Sequence, residues 1–132
     1  LTGIDWPTRD GSGIRDYIHV WDLAQAHLRA VERFDSVIEQ GSEEDAPYTV
    51  INLGTGQGSS VQQVLEVARA ITGRPIQSKV MPRRPGDPAR LVASATKAMA
   101  ALGWKPVNSS LETIIESAWR WHREHPNGYA GS

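Results

Sequence analysis

The sequence contains no cysteine among its 132 residues. Disulfide bonds, thiolate nucleophiles and zinc–thiolate sites are therefore excluded together, which agrees with a reducing compartment. An excess of one charge is also missing: 14 basic and 15 acidic residues leave a net charge of −1, so no general basic field indicates nucleic acid. No apolar run has the length of a membrane span, and the first residues lack a signal-peptide pattern. We expect a cytoplasmic protein that binds neither nucleic acid nor membranes.

The tyrosine–lysine pair of short-chain dehydrogenases is missing as well. That chemistry needs a lysine four residues after a tyrosine, so that the ammonium lowers the tyrosine's pKa. At that spacing Trp21 follows Tyr17. Asn52 follows Tyr48, and too few residues follow Tyr129. We therefore predict no catalytic residue in this chain.

The glycine-rich turn of residues 54–58 lies between a predicted strand and a predicted helix, as a dinucleotide-binding turn does. Ser59 stands where that fingerprint needs its third glycine, and Met81 ends the next strand, where an acidic residue would hold a ribose. The Lys-Ser/Thr pair of a P-loop is missing too. The pattern favours a tight strand-to-helix turn over a cofactor site.

The residues that are present have the composition of one globular domain, residues 1–132, with 39% hydrophobic and 22% charged residues. Short β-branched runs predict strands at 14–20, 48–53 and 76–81. Helical periodicity and capping residues predict helices that begin at Val20, at Ser60 with Gln63, at Ser94, and at Ser109 with Glu112. The helices from Ser60 and Ser94 are predicted to end at Gly73 and Gly103. Residues 35–47 are predicted to form a loop. The order predicts an α/β or α+β fold with a small mixed sheet and about four helices.

Several helical side chains invite a functional or a structural interpretation. The first helix carries apolar residues at helical spacing, which predict a core-facing stripe of Val20, Leu23, Ala24, His27, Val31 and Phe34. His27 is expected in the core with a bonded nitrogen. His122 and His125 are expected on the surface and not as metal ligands, while Trp121 packs and Trp119 lies towards the flank.

The hexapeptide Pro82-Arg83-Arg84-Pro85-Gly86-Asp87 has the pattern of a binding loop. Its prolines exclude a regular helix or a central strand, so the segment is predicted to be stiff and exposed. Adjacent guanidinium groups repel each other unless an anion lies between them, and arginine's planar fork suits phosphate or carboxylate oxygens. The glycine permits a tight turn, and the aspartate offers an acceptor to a sugar hydroxyl or to one of the arginines. The alternative is a solvated basic loop.

A second candidate segment lies near the start of the chain. Alternation in the predicted strand 14–20 places Arg15, Tyr17 and His19 on one face. Arg15, Arg84 and Asp87 could therefore converge on one nucleotide-like ligand, although spacing alone does not show that they meet.

Six blocks of the sequence, in order along nearly the whole chain, resemble the C-terminal part of the UDP-glucose 4-epimerase family, which belongs to the extended short-chain dehydrogenases/reductases. The blocks are Asp10-Gly11-Ser12-Gly13-Ile14-Arg15-Asp16-Tyr17-Ile18-His19-Val20, Asp22-Leu23-Ala24 with Ala26-His27, Asn52-Leu53-Gly54-Thr55-Gly56, Arg83-Arg84-Pro85-Gly86-Asp87, Leu102-Gly103-Trp104, and Trp119-Arg120-Trp121-His122 with His125-Pro126-Asn127-Gly128-Tyr129. The arginine loop and the Asn-Leu-Gly block also occur in related enzymes that act on nucleotide sugars.

The resemblance implies an NAD-dependent, commonly dimeric enzyme with a Rossmann-type fold that interconverts UDP-glucose and UDP-galactose by oxidation and re-reduction at sugar C4. It implies that Arg15 and Arg84 hold the pyrophosphate and that Asp87 holds the ribose. It further implies that Tyr17 and Val61 line the nucleotide.

Two departures from the family pattern shape the expectation. The Rossmann half, with its glycine turn and Tyr-x-x-x-Lys pair, should precede this chain, so we expect a fragment that alone neither holds NAD nor transfers hydride. Leu91 stands where the family uses a bulky tyrosine or a smaller residue to exclude or admit N-acetylated sugars, and its intermediate size leaves that choice open. Two alternatives stay open: a non-catalytic module that binds nucleotide sugars, and an epimerase or dehydratase for another UDP-sugar.

Overall fold

A computed structural model describes residues 1–41 and 48–129 of the chain. The elements in sequence order are β1 Ile14–Arg15, α1 Val20–Glu32, α2 Phe34–Gly41, β2 Ser59–Ser60, α3 Val61–Thr72, β3 Arg90–Leu91, α4 Thr96–Leu102 and α5 Leu111–Glu124. No helix in these two ranges combines the length and the apolar character needed to cross a membrane.

The three strands form one mixed sheet in the order β2-β1-β3. β1 pairs antiparallel with β2 and parallel with β3, so that Arg15 lies opposite Ser59 on one side and Leu91 on the other. The predicted α/β fold with a small mixed sheet is confirmed. The predicted loop at 35–47 is wrong over residues 35–41, where α2 forms a fifth helix, and its remainder lies outside the described residues.

The predicted strands at 48–53 and 76–81 are wrong, and the predicted strand 14–20 is reduced to the two residues of β1. Within the described part of the chain, the only ladder contact of these two later segments is an isolated parallel bridge between Thr2 and Met81. Ile51 and Leu53 instead pack against the hydrophobic core without belonging to a strand. β-branched composition reports an extended, half-buried segment and does not by itself supply a hydrogen-bonded neighbour.

The predicted N-terminal cap of α3 is confirmed, because Ser60 Oγ accepts a hydrogen bond of 3.2 Å from the backbone N–H of Gln63. For α5 the prediction is wrong by one residue. The cap is Ser110, whose Oγ accepts from the N–H of Thr113 at 3.1 Å. Ser109 does not cap α5, because its hydroxyl donates to the buried carboxylate of Asp22 at 2.6 Å.

The other helix ends follow the same local chemistry with one exception. Gly73 and Gly103 end α3 and α4 with φ of 64° and 60°, as predicted, in the left-handed region that glycine adopts without strain. Ser94 was predicted to cap α4, but the cap position is Ala95, which has no side-chain cap. Ser94 Oγ instead lies 3.0 Å from the hydroxyl of Thr96, so the two hydroxyls are paired.

The hydrophobic core lies between α1, α2 and α4. Its buried residues are Ala26, Val37, Ala95, Ala98, Leu102 and Trp104. Ala26 of α1 and Ala98 of α4 have small side chains, which allow these two helices to pack closely. Trp104 donates its indole N–H to the carbonyl of Asp22 at 2.8 Å. The half-buried apolar faces of α3 and α5 pack together as a second layer.

The predicted core-facing stripe of α1 is wrong, because the helix turns a different face inward. Val20 and Val31 are 76% exposed and Phe34 is 61% exposed, whereas Asp22 and Ala26 are each 1% exposed. His27 is exposed rather than in the core, although its Nδ1 does bond the carbonyl of the residue one turn earlier at 2.8 Å. The core therefore selects small and hydrogen-bonded side chains from α1 and leaves its larger apolar ones outside.

Candidate nucleotide-sugar site

The mixed sheet gathers segments that are far apart in the sequence around Arg15. β1 is its central strand, so Arg15 has Ser59 of β2 and Leu91 of β3 as its two neighbours. Val61 follows β2 directly, and its backbone N–H donates to the carbonyl of Gly13 at 3.1 Å. The predicted site residues Arg15, Val61 and Leu91 thus lie on adjacent segments, and Leu91 is 60% exposed.

The loop of residues 82–87 reaches the same place. Arg84 Nε donates to Asp87 Oδ2 at 3.2 Å, and Arg15 Nη2 lies 3.9 Å from the same oxygen. A backbone hydrogen bond of 3.2 Å from the N–H of Asp87 to the carbonyl of Arg84 closes the turn. The structure therefore brings Arg15, Arg84 and Asp87 together, as the sequence indicated but did not establish.

The Arg15 side chain is held in a defined position. Its Nη1 donates to the carbonyl of Ile14 at 2.8 Å and to that of Pro88 at 3.1 Å. Gly13 lies beneath this guanidinium: a Cβ at Gly13 would stand 3.1 Å from Nη1. Arg15 is thus oriented by backbone carbonyls, while the Arg84 side chain, 70% exposed, is free to meet a ligand.

The two adjacent arginines point to different partners, which corrects the interpretation that both share one anion. Arg83 Nε donates to Asp5 Oδ1 at 2.7 Å, and its guanidinium carbon lies 4.1 Å from the centroid of the Trp6 ring. The hydrogen bond from Arg83 holds the pKa of Asp5 below its usual value. Arg83 therefore anchors the loop to residues 5–6, and Arg84 alone of the pair faces Arg15.

Tyr17 lies at a polar cavity of about 210 Å³, whose lining includes Thr55, Gln63, Ser109 and Glu112. Burial raises the pKa of Tyr17 above its ordinary value near 10, and the positive charge of Arg15 opposes that rise only in part. The phenol is therefore protonated at neutral pH and can donate a hydrogen bond.

Asp16 is a residue of the site region that sequence reasoning missed. Its carboxylate accepts from the backbone N–H groups of Thr55 at 2.9 Å, Gly56 at 3.1 Å and Ala93 at 3.3 Å, and from the Thr55 hydroxyl. Burial alone would raise the pKa of Asp16, but these hydrogen bonds outweigh it and the pKa lies below its usual value. The segments leading to β2 and away from β3 are thus fixed to the residue next to Arg15.

That contact also explains the glycine-rich turn. A Cβ at Gly54 would stand 2.6 Å from Asp16 Oδ2 and 2.8 Å from the Cβ of Ala93. Gly54 is therefore needed for close packing onto the carboxylate, which agrees with the prediction of a structural turn.

The C-terminal aromatic residues form a cluster apart from the arginine site. Trp121 is half-buried and stacks on His125 with ring centroids 5.0 Å apart, and it meets His122 edge-on at the same distance. Trp119 lies under the guanidinium of Arg74 at 5.2 Å. Across residues 1–41 and 48–129, no three histidine, aspartate or glutamate side chains are grouped so that they could hold a metal ion.

Comparison with known proteins agrees with the resemblance drawn from the sequence. The sequence model of the family described as GDP-mannose 4,6 dehydratase matches residues 3–118. A UDP-glucose 4-epimerase from Halalkalibacterium halodurans is 52% identical over 130 residues, which are 98% of this chain and 36% of the relative. Another from Corynebacterium glutamicum is 50% identical over 119 residues, or 90% of this chain and 33% of the relative. The chain thus spans about a third of the length of these relatives.

Solved structures lead to the same group of proteins. A crystal structure of a UDP-glucose 4-epimerase matches with a TM-score of 0.83 and 46% identity, over 98% of this chain and 37% of the other. The UDP-glucose 4-epimerase from Bifidobacterium longum in complex with NAD+ and UDP matches with a TM-score of 0.81 and 38% identity, over 98% and 36%. The chain belongs to the family that the GDP-mannose 4,6 dehydratase model describes, and within that family it is similar to UDP-glucose 4-epimerases.

Proposed function

We propose that this chain is the UDP-sugar-binding portion of a UDP-glucose 4-epimerase, an NAD-dependent isomerase that interconverts UDP-glucose and UDP-galactose. The observation that carries the proposal is the convergence of Arg15, Arg84 and Asp87 from distant parts of the sequence. Similarity to UDP-glucose 4-epimerases along 98% of the chain supports it. We also infer that the full-length protein is a cytoplasmic homodimer.

In this proposal the diphosphate of the substrate lies between Arg15 and Arg84. Two guanidinium forks satisfy several phosphate oxygens at once, which a pair of point charges would not. Asp87 accepts from the ribose hydroxyls, and the protonated phenol of Tyr17 and the side chain of Val61 line the nucleotide. Binding at the diphosphate, away from the reacting carbon, leaves the keto sugar free to turn between the two hydride transfers.

The chemical step at C4 requires groups that these residues do not include. NAD, when bound, supplies the acceptor and donor of the hydride, and a Tyr-x-x-x-Lys pair supplies the proton transfer. Neither the dinucleotide fingerprint nor that pair occurs in the 132 residues. We infer that the remainder of the full-length protein provides both and that this chain contributes no catalytic residue.

Leu91 is the residue through which this portion would act on sugar specificity. It lies beside Arg15 in the sheet register and is 60% exposed, so its side chain is available to a ligand. We infer that it borders the sugar, where a residue of intermediate size restricts an N-acetyl group less than tyrosine does.

The proposal is tested by calorimetric titration of the full-length protein with UDP. Replacing either Arg84 or Arg15 by alanine removes a charge-assisted contact to the diphosphate, so UDP affinity should fall roughly 10- to 100-fold. Arg120→Ala, which removes an exposed arginine of α5, is the matched control and should change the affinity less than about twofold. Unchanged UDP affinity in Arg15→Ala and Arg84→Ala would refute the proposed function.

A further inference from the structure

The Asp87 carboxylate stands between the two guanidinium groups of the candidate site. A single oxygen, Oδ2, lies 3.2 Å from Arg84 Nε and 3.9 Å from Arg15 Nη2. Within residues 1–41 and 48–129 it is the one carboxylate within salt-bridge distance of either arginine. The side chains of Arg15 and Asp87 are each 27% exposed, so the contact is partly shielded from solvent.

The backbone beside this carboxylate is open to solvent. Gly86, the residue before Asp87, has a φ of 84°, and nothing lies within 4 Å of the position that its Cβ would take. The Arg84 side chain is 70% exposed. By contrast, carbonyl oxygens hold the Arg15 guanidinium from behind. Of the three charged groups, Arg15 is held by backbone carbonyls, whereas Asp87 and Arg84 lie on the exposed loop of residues 82–87.

We propose that Asp87 is a specificity-determining residue that acts as an internal counter-anion, its carboxylate occupying the space between Arg15 and Arg84 until a diphosphate displaces it. This inference rests on the proposed function. A diphosphate offers more oxygens and more charge than one carboxylate oxygen, so it displaces the carboxylate from the two guanidinium groups. The displaced carboxylate then needs new hydrogen-bond donors, because a charged group left without partners is costly.

The proposal defines which ligands the site favours. A ribonucleoside diphosphate brings both the anion that displaces Asp87 and the hydroxyl groups that receive it. Inorganic pyrophosphate brings only the anion, and it must leave the carboxylate beside its own negative charge. Asp87 therefore weakens the binding of pyrophosphate more than the binding of UDP.

The test is calorimetric titration of the full-length protein with UDP and with inorganic pyrophosphate. Asp87→Asn removes the competing charge and keeps the shape of the side chain, so pyrophosphate should bind about threefold to tenfold more tightly at low salt. UDP should gain less or lose affinity, so the ratio of UDP to pyrophosphate affinity should fall. Asp87→Ser is a second neutral variant with the same expectation, should Asp87→Asn fold poorly.

One control separates this mechanism from a general change in charge. Asp35→Asn removes one negative charge from an exposed position of α2 and should leave pyrophosphate affinity within about twofold of the wild type.

Pyrophosphate affinity that stays the same or falls in both neutral variants would overturn the inference. If UDP affinity nevertheless depends on Arg15 and Arg84, the proposed function stands and only the role of Asp87 is wrong. If UDP affinity depends on neither arginine, the proposed function itself fails and the inference fails with it.

Discussion

Three aspartates spaced six residues apart, Asp10, Asp16 and Asp22, tie the first part of the chain to distant segments. Asp10 accepts from the hydroxyls of Ser12 and Ser60, at the start of α3. Asp16 holds the glycine-rich turn and the segment after β3. Asp22 accepts hydrogen bonds from Asn108 and Ser109, which precede α5. Each of these three carboxylates therefore holds at least one segment that is distant in the sequence.

The three carboxylates have a common electrostatic character. Burial acts to raise the pKa of Asp10, Asp16 and Asp22, but several hydrogen bonds to each charged form outweigh it, and all three pKa values lie below the ordinary value. A folded-state pKa below the unfolded-state value means that ionisation stabilises the folded protein. This stabilisation is complete above the unfolded pKa of about 3.9 and is lost as pH falls through the lower, folded-state pKa.

Asp22 offers the sharpest stability test at this scale, because it is 1% exposed and its carboxylate accepts from the backbone and side-chain N–H of Asn108, each at 2.8 Å. Asp22→Asn in the full-length protein should lower the free energy of unfolding by about 2–4 kcal/mol at pH 7. The difference from the wild type should shrink below about pH 4, as the wild-type carboxyl becomes protonated.

Urea unfolding followed between pH 3 and 7 measures both effects. Asp35→Asn, on the exposed side of α2, should stay within about 0.5 kcal/mol of the wild type at every pH. A pH-independent loss in Asp22→Asn would show that packing, and not the ionised carboxylate, supplies the stabilisation.

Single residues were predictable where their role is local. The prolines and the glycine of the arginine loop predict an exposed turn, and Arg84 and Asp87 do contact each other within it. The aspartates were missed because Asp10 beside a glycine indicates a turn and Asp22 in a first helical turn indicates a dipole contact. Their main partners are segments far along the chain, which no local pattern encodes.

At the scale of elements, the short sheet depends on close contact between β1 and the glycine-rich turn. Gly56 and Gly58 share the left-handed backbone conformation, with φ of 78° and 75°. Their surroundings differ: a Cβ at Gly58 would stand 2.6 Å from Val92 Cγ2 and 2.8 Å from Ile14 Cγ2, whereas nothing lies within 4 Å at Gly56. Substitutions at these two glycines therefore allow the cost of backbone strain to be measured separately from the cost of a packing clash.

Both Gly56→Ala and Gly58→Ala should lose about 1–2 kcal/mol of unfolding free energy to the positive φ. Gly58→Ala should lose about 1–3 kcal/mol more, because its methyl group displaces side chains that flank the sheet. Thermal and urea unfolding of the two variants in the full-length protein gives the difference. Equal losses would show that β1 and the turn are packed less closely than their contacts indicate.

Element ends were more predictable than element partners. The caps at Ser60, Gly73 and Gly103 depend on hydrogen bonds and dihedral angles within a few residues, and the sequence alone predicted them. Strands depend on a neighbour that sequence patterning does not specify, so 48–53 was predicted as a strand although its backbone pairs with no other described segment. Each strand of the sheet is instead two residues long, which is too short to leave a periodic hydrophobic pattern in the sequence.

At the scale of the whole molecule, the chain carries an apolar face that its own described residues do not cover. On α1 and at the start of α2, Val20, Trp21, Leu28, Val31 and Phe34 are all more than half exposed. Tyr48 and Val50 add two further exposed side chains at 65% and 66%. Neighbouring exposed apolar side chains are typical of an interaction surface, and relatives about three times as long have additional chain that could cover this face.

The isolated 132-residue chain should therefore bind the dye 8-anilinonaphthalene-1-sulfonate and self-associate, and the full-length protein should do so less. Val31→Lys should reduce both in the isolated chain. Val107→Lys, at a position equally exposed at 76% but in the segment between α4 and α5, should reduce them less. Dye fluorescence and sedimentation velocity measure these effects, and a monomeric isolated chain with no dye binding would contradict the expectation.

Residues 1–6 support the arginine loop, because Arg83 is anchored on Asp5 and Trp6. Leu1 to Gly3 also run beside Lys79 to Met81, joined by backbone hydrogen bonds of 2.7–2.9 Å. Replacing Asp5 or Trp6 would therefore disturb the segment from which Arg84 projects. The orientation of Arg84 thus depends on side chains far from it in the sequence, at Asp5 and Trp6, which brace its neighbour Arg83.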